Sequence, residues 1–205
     1  MAELTELERI RSQKVSRLRQ AGMDPYPPRS KRTHTTGEAV RAFEDAPQDA
    51  EVRATVVGRL RSIRRMGKAV FAHVEDTAGQ LQLFLRTDEL GAERLEIFND
   101  LFDLGDFVQA AGVLFRTRAG EVTLRVSAFT MLAKAIAPLP APKTEVVDGE
   151  RVVHSPFANP EARYRERYAD LAVNPEVRRV FATRARVLTA LRSFLDGHGF
   201  VEVET

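Results

Sequence analysis

The chain has 205 residues, 43% of them apolar, which is enough to bury a core as one large domain or two small ones. Its 31 Lys and Arg stand against 29 Asp and Glu, a formal charge of +2, so overall charge gives no mandate for nucleic acid and the placement of charges has to carry that argument. The lack of cysteine excludes disulfides, a thiol nucleophile and thiolate-bound zinc and fits a reducing compartment; no signal peptide is visible, and no apolar run approaches the roughly 18 residues of a membrane span.

From Leu4 to Leu18, apolar residues recur at helical spacing with Arg9, Arg11, Lys14, Arg17 and Arg19 between them, which predicts a basic helix closed at Gly22. Pro25, Pro27 and Pro28 then forbid helix, and a short one is expected from Thr36 to Phe43, capped by Thr35 or Thr36. Between Val52 and Leu132 the period changes to two. Val56, Gly58 and Leu60, then Val70, Ala72 and Val74, then Leu81, Leu83 and Leu85 mark the inward faces of successive strands, with turns at Gly67 and Gly79. A helix over Glu89–Phe102 and strands over Phe107–Arg116 and Glu121–Leu132 complete the order of an OB-fold, a five-stranded Greek-key barrel, although a different small meander fits the same pattern.

Residues 134–160 are proline-rich with little periodicity and read as a linker. A short helix over Ala162–Leu171 and a long one from Pro175 to about Asp196 follow, the latter with a wide apolar stripe that includes Phe181, Leu188, Leu191 and Phe194. Phe200–Thr205 reads as the start of a strand, so the chain is expected to be the front of a longer protein. The fold class is thus α+β with an all-β core. The expected divisions are an N-terminal helical extension (1–50), the barrel (51–133), the linker (134–160) and the start of a further domain (161–205).

If Leu81, Leu83 and Leu85 point inward, Gln82 and Phe84 point outward beside Phe71 and His73. A ring beside an amide on a solvated sheet suits single-stranded nucleic acid, since any base stacks on the ring and the amide reads a base edge. Arg59, Arg61, Arg64, Arg65 and Lys68 would form a positive rim for phosphates. The competing reading makes Phe71 part of a small second core and the arginines a solvated face. The four histidines show no metal-ligand spacing, and no nucleophile-elbow or phosphate-loop motif is present. Glu202 and Glu204 share a strand face and read better as a strand edge than as an acid/base pair.

Gly22-Met-Asp-Pro-Tyr-Pro after a basic helix, Gly67-Lys-Ala-Val-Phe-Ala-His-Val-Glu-Asp, Gly79-Gln-Leu-Gln-Leu-Phe, Leu104-Gly-Asp, and RYRERYADL from Arg163 stand in this order. Together they are similar to the N-terminal part of the bacterial lysyl-tRNA synthetase family. The helix from Val177 with Gly199-Phe-Val-Glu-Val-Glu-Thr205 resembles motif 1, a dimer-forming element of class II synthetases. The resemblance implies an OB-fold anticodon-binding domain ahead of the catalytic domain and ATP-dependent lysylation of lysine tRNA by the whole cytoplasmic enzyme. That reaction uses ATP and Mg2+, and no cofactor, metal or catalytic residue is assigned to this chain. The sequence ends at Thr205, before the proline that normally closes motif 1, and motifs 2 and 3 are absent, so the 205 residues alone are not expected to be catalytic. The segment Val146–Asn159 also departs from the shorter connection common in the family.

The resemblance further implies that Phe71 stacks an anticodon base and Gln82 reads a middle uridine. Arg64 would lie near the anticodon backbone or a base, Glu121 would read a further base, and Phe84, His73, Arg61, Arg59 and Lys68 would complete the tRNA-binding face. Phe181, Leu188, Leu191 and Phe194 would form a homodimer interface. The rival expectations are an aspartyl- or asparaginyl-type synthetase, which shares the domain plan, and a stand-alone OB-fold RNA-binding protein.

Overall fold

The computed structural model describes residues 4–140, 143–147, 150–154 and 157–204. Thr205, Pro142, Pro156 and Asp148-Gly149 of the expected linker lie outside the described residues. The chain divides into two compact units, 1–138 and 139–205.

In the first unit, five strands close into a barrel: β1 (Arg53–Met66), β2 (Ala69–Glu75), β3 (Gln80–Arg86), β4 (Phe107–Arg116) and β5 (Val122–Ala133). Their order is β1-β2-β3-β5-β4, with β1 antiparallel to β4 and β3 parallel to β5. This is the Greek-key closure expected of an OB-fold. Val56, Leu60, Val70, Val74, Leu81, Leu83, Leu85, Leu124 and Met131 fill its interior, as the period-two pattern requires. Closure needs a close approach at Gly112 of β4, where a Cβ would lie 1.9 Å from the carbonyl oxygen of Arg125, so no larger residue fits that backbone.

β1 departs from simple alternation. Its pairing with β2 is shifted between Leu60 and Ser62, a bulge at Arg61 that reverses which residues face outward. Ser62 and Arg64 therefore join the outer face, while Ile63 packs against the core and Arg65 turns to bond Asn99. The helix expected over Glu89–Phe102 is two helices, α3 (Thr87–Leu90) and α4 (Ala92–Leu101), separated by Gly91 at φ +83°. α4 buries Leu95, Phe98 and Leu101 in the barrel core. The Phe98 and Phe102 rings stack at 4.8 Å, and each meets Phe129 edge-on at 5.3 Å.

The N-terminal helix α1 (Glu6–Gln20) begins with a capping box of Thr5 and Glu8, and α2 (Thr36–Glu44) with one of Thr35 and Glu38. Both helices are anchored by charge. Lys14 of α1 bonds Asp103 at 2.7 Å, and Lys134, whose side chain is fully buried, bonds both Asp103 and Asp106. Burial pushes the Asp103 carboxyl up, but the two ammonium groups outweigh it and hold Asp103 below its ordinary value. The wholly buried Asp106 carboxyl is instead pushed up by burial against the pull of Lys134. Asp76, in the β2–β3 turn, accepts from the Thr36 amide at 2.8 Å and the Thr36 hydroxyl at 2.6 Å, tying α2 to the barrel.

In the second unit the segment expected to be an irregular linker contains an antiparallel pair, β6 (Lys143–Val147) and β7 (Glu150–His154). The helix expected over Ala162–Leu171 is again two, α5 (Pro160–Arg165) and α6 (Arg167–Val173), and α7 spans Pro175–Asp196. Asp170, buried on α6, accepts from Arg163, Arg167 and Asn174. Residues 201–204 are irregular and not the strand expected there. Among the described residues no helix is long and apolar enough to cross a membrane.

Candidate nucleic-acid interface

The cross-strand register assembles the outer face of the barrel into two rows. Arg64 of β1 pairs with Phe71 of β2, Phe71 with Phe84 of β3, and Phe84 with Arg125 of β5. Two residues along, Ser62 pairs with His73, His73 with Gln82, and Gln82 with Thr123. One row is therefore aromatic with cationic ends, and its neighbour is polar throughout. A cavity of about 360 Å³ opens over them, lined by Ser62, Arg64, Phe71, His73, Gln82 and Glu121.

The polar row is continuously hydrogen-bonded. The Ser62 hydroxyl lies 2.8 Å from His73 Nδ1, and His73 Nε2 lies 3.0 Å from Glu121 Oε1. Gln82 Nε2 donates to the other oxygen of Glu121 at 2.7 Å, and the Thr123 hydroxyl donates to Gln82 Oε1 at 3.0 Å. Gln82 lies on the outer face as its spacing predicts, but it is only 6% exposed, so that face is less solvated than the alternation implies. With one amide hydrogen and one oxygen lone pair engaged, Gln82 retains one donor and one acceptor, and the Glu121 carboxylate, which can only accept, fixes which end is which. The ring of Phe71 stacks on Phe84 at 4.7 Å, which engages one of its faces, and the Arg64 guanidinium stands 5.4 Å from its centroid. Phe84 supports Phe71 from behind, meets Phe115 at 6.0 Å and does not line the cavity.

The positive rim is smaller than the sequence suggests. Arg59 bonds the Gly105 carbonyl at 3.0 Å and lies over the Phe107 ring, Arg61 pairs with Glu75 at 3.0 Å, and Arg65 reaches α4. Of the five basic residues expected there, Arg64 lines the cavity and Lys68 is exposed in the β1–β2 turn. Likewise Arg11, Lys14 and Arg17 of α1 bond Ala135, Asp103 and Asp100, so part of this basic helix serves its own docking. Thr123 and Ser62 are site residues that alternation alone does not single out. The bulge moves Ser62 to the outer face, and Thr123 arrives through the parallel β3–β5 pairing.

Ser62, His73 and Glu121 stand in the order of a hydrolase triad, yet Ser62 lies within a strand, paired with His73. A nucleophile of that kind sits on a turn or at a helix N-terminus, where free amides gather around an oxyanion. No group of three or more His, Cys, Asp or Glu among the described residues could hold a metal ion. On α7, Phe194 is 61% and Leu191 52% exposed, Leu188 is also exposed, and Phe181 is partly covered beneath the Arg167 guanidinium at 5.3 Å.

Comparison with known proteins places the barrel and the following segment among known families. The OB-fold nucleic acid binding domain family of the tRNA anti-codon type matches residues 54–132, and the tRNA synthetases class II (D, K and N) match residues 159–205. Lysine–tRNA ligases of Pelotomaculum thermopropionicum, Roseiflexus castenholzii and Roseiflexus sp. (strain RS-1) are 45%, 46% and 44% identical over 204 residues. Each alignment covers 99% of this chain but only 37% to 39% of the relative, so the chain spans little more than a third of their length. Over nearly its whole length the chain is thus similar to part of the lysine–tRNA ligases, with an OB-fold nucleic acid binding domain followed by sequence that matches class II tRNA synthetases.

Proposed function

We propose that the barrel reads the anticodon of lysine tRNA for a lysine–tRNA ligase, with Phe71 stacking a base and Gln82 reading its edge. The observation that carries this reading is the cavity bounded by the Phe71 ring and the Gln82 amide, whose orientation the Glu121 carboxylate fixes. One amide donor beside one acceptor complements the carbonyl and imino N–H of uracil. Cytosine presents a ring acceptor where uracil has its donor, so it loses a bond in that pose. Arg64 supplies attraction for the backbone or base, and Glu121 offers an acceptor to a neighbouring donor. Arg59, Arg61, His73, Phe84 and Lys68 belong to the surrounding face.

The whole enzyme would activate lysine with ATP and Mg2+ in the cytoplasm and pass it to the terminal adenosine of tRNA. The residues described here supply substrate capture and no chemical step. We assign residues 1–50 to a helical extension, 51–133 to the anticodon-binding domain, 134–160 to a connection and 161–205 to the opening of the catalytic domain. The stripe of Phe181, Leu188, Leu191 and Phe194, of which the last three are exposed, supports self-association as a homodimer.

The reading is tested by titrating the chain with RNA stem-loops that differ only in the middle loop base. Uridine should bind tightest, by about tenfold over cytidine, as one lost edge hydrogen bond implies. Equal affinity for all four bases would overturn the reading.

A further inference from the structure

We propose that His73 is a positioning residue of the base-reading cavity: its ring clamps the Glu121 carboxylate, which holds the Gln82 amide, so the charge state of one imidazole tunes how the cavity binds RNA. This rests on the reading of the cavity as a base pocket.

Glu121 precedes β5, and its backbone is fixed by the turn before it. Its amide donates to the Thr117 hydroxyl at 3.1 Å, and its carbonyl accepts from the Thr117 amide at 2.9 Å. Its side chain is nearly half exposed and, on its own, would sample several rotamers in water. Two donors hold it across the cavity, His73 Nε2 and Gln82 Nε2, one on each oxygen. Without His73, one oxygen is released, and the carboxylate that fixes the Gln82 amide is held by a single side-chain donor.

The partner behind the ring makes the clamp tolerant of protonation. A hydroxyl both donates and accepts. With neutral His73, the Ser62 hydroxyl donates to Nδ1 while Nε2–H donates to Glu121; with the imidazolium, Nδ1–H donates to Ser62 instead. The geometry persists in both states while the charge beside Glu121 changes by one. The charged groups that face His73 are Glu121 at the head of β5, Arg64 on β1 in the same cavity, and the Glu75–Arg61 pair along β2 and β1. Gln82 and Thr123 complete the polar surround from β3 and β5. Neutral His73 leaves the Glu121 carboxylate to oppose incoming phosphates, and the imidazolium offsets it.

The test measures affinity of the full chain for uridine and cytidine stem-loops from pH 8 to pH 6. In the unsubstituted chain, uridine binding should tighten by about fivefold toward acid, the scale of one added charge at moderate distance. H73Q can still donate to Glu121 but does not titrate, so it should keep the uridine preference and lose the pH slope. H73F keeps ring volume without the donor, and its uridine-over-cytidine ratio should fall about tenfold. An H73Q chain with the unsubstituted pH slope, or a folded H73F chain with the unsubstituted base ratio, overturns the role of His73. If H73F does not fold, the H73Q profile decides alone. No base preference in the unsubstituted chain overturns the base-pocket reading, and the His73 role with it.

Discussion

Two amphipathic helices of this chain meet different fates. α4, ten residues long, buries Leu95, Phe98 and Leu101 in the barrel core, whereas α7, with 22 residues and a longer apolar stripe, buries only Val177. The apolar pattern tells which face of a helix resists water; the surrounding chain decides whether that face is covered. Stability should therefore follow burial and not hydrophobicity, and substitutions of the same type should cost much more in the first unit than in the second.

The largest losses are expected where the first unit has buried what water would otherwise hold. Phe98→Ala removes a ring packed against Phe102 and Phe129 and should cost about 3–5 kcal/mol, read from urea unfolding by circular dichroism. Lys134→Ala should cost a similar amount, about 3–5 kcal/mol, because it leaves the fully buried Asp106 and the partly buried Asp103 without the ammonium that both face. A loss below about 1 kcal/mol for either would mean that the barrel repacks freely and that its contrast with α7 is one of degree.

Phe71 tests the comparison at the surface of the same unit. Phe71→Ala should weaken stem-loop binding by about 1–3 kcal/mol, the worth of one stacked base, while the unfolding midpoint changes little. Unchanged affinity with a large loss of stability would assign Phe71 to a second core with Phe84 and Phe115.

Asp76 carries a smaller effect with a defined pH sign. Burial raises its carboxyl, but hydrogen bonds from Thr36, Ala78 and Gly79 outweigh this and hold it below its ordinary value. A lowered folded-state value means the carboxylate stabilises the fold fully above the unfolded-state value, and that stabilisation disappears as pH falls through the folded-state value. Asp76→Asn should cost about 0.5–2 kcal/mol near neutral pH, the scale of a lost helix cap, and the gap from the unsubstituted chain should narrow in acid. A gap that is constant with pH would show that the hydrogen-bond geometry matters and the charge does not.

How much of this was legible in the sequence depended on whether a signal was local. Alternation located all five barrel strands, and Phe107–Arg116 and Pro175–Asp196 have the expected ends. The bulge at Arg61 leaves a trace, since apolar spacing lengthens from two to three between Leu60 and Ile63, and reading it would have sent Ser62 and Arg64 outward and Arg65 toward α4. The β6–β7 pair also has a signal. Asp148-Gly149, a dipeptide favoured in two-residue hairpin turns, stands between Val146-Val147 and Val152-Val153, but the nearby prolines argued for a linker. What no local pattern carries is the closure over Gln82. The Glu121 carboxylate comes from 39 positions away through the parallel β3–β5 closure, and Lys134 reaches Asp106 from 28 away at the base of the β4–β5 pair.

The smallest effect is expected on α7, and it completes the contrast with α4. Phe194 and Leu191 contribute exposed surface, so Phe194→Ser or Leu191→Ser removes little that folding had taken from water, and the change in unfolding free energy should stay within about 0.5 kcal/mol. The stripe is still costly to hydrate, at about 25 cal/mol per Å² of apolar surface, so a second copy that covers it gains what folding left unused. The substitutions should therefore lower self-association in sedimentation at rising concentration while leaving stem-loop affinity unchanged. Lower stem-loop affinity would make α7 part of the RNA surface. An undiminished dimer would place the contact between copies on another face, and the exposed stripe would then need a different partner.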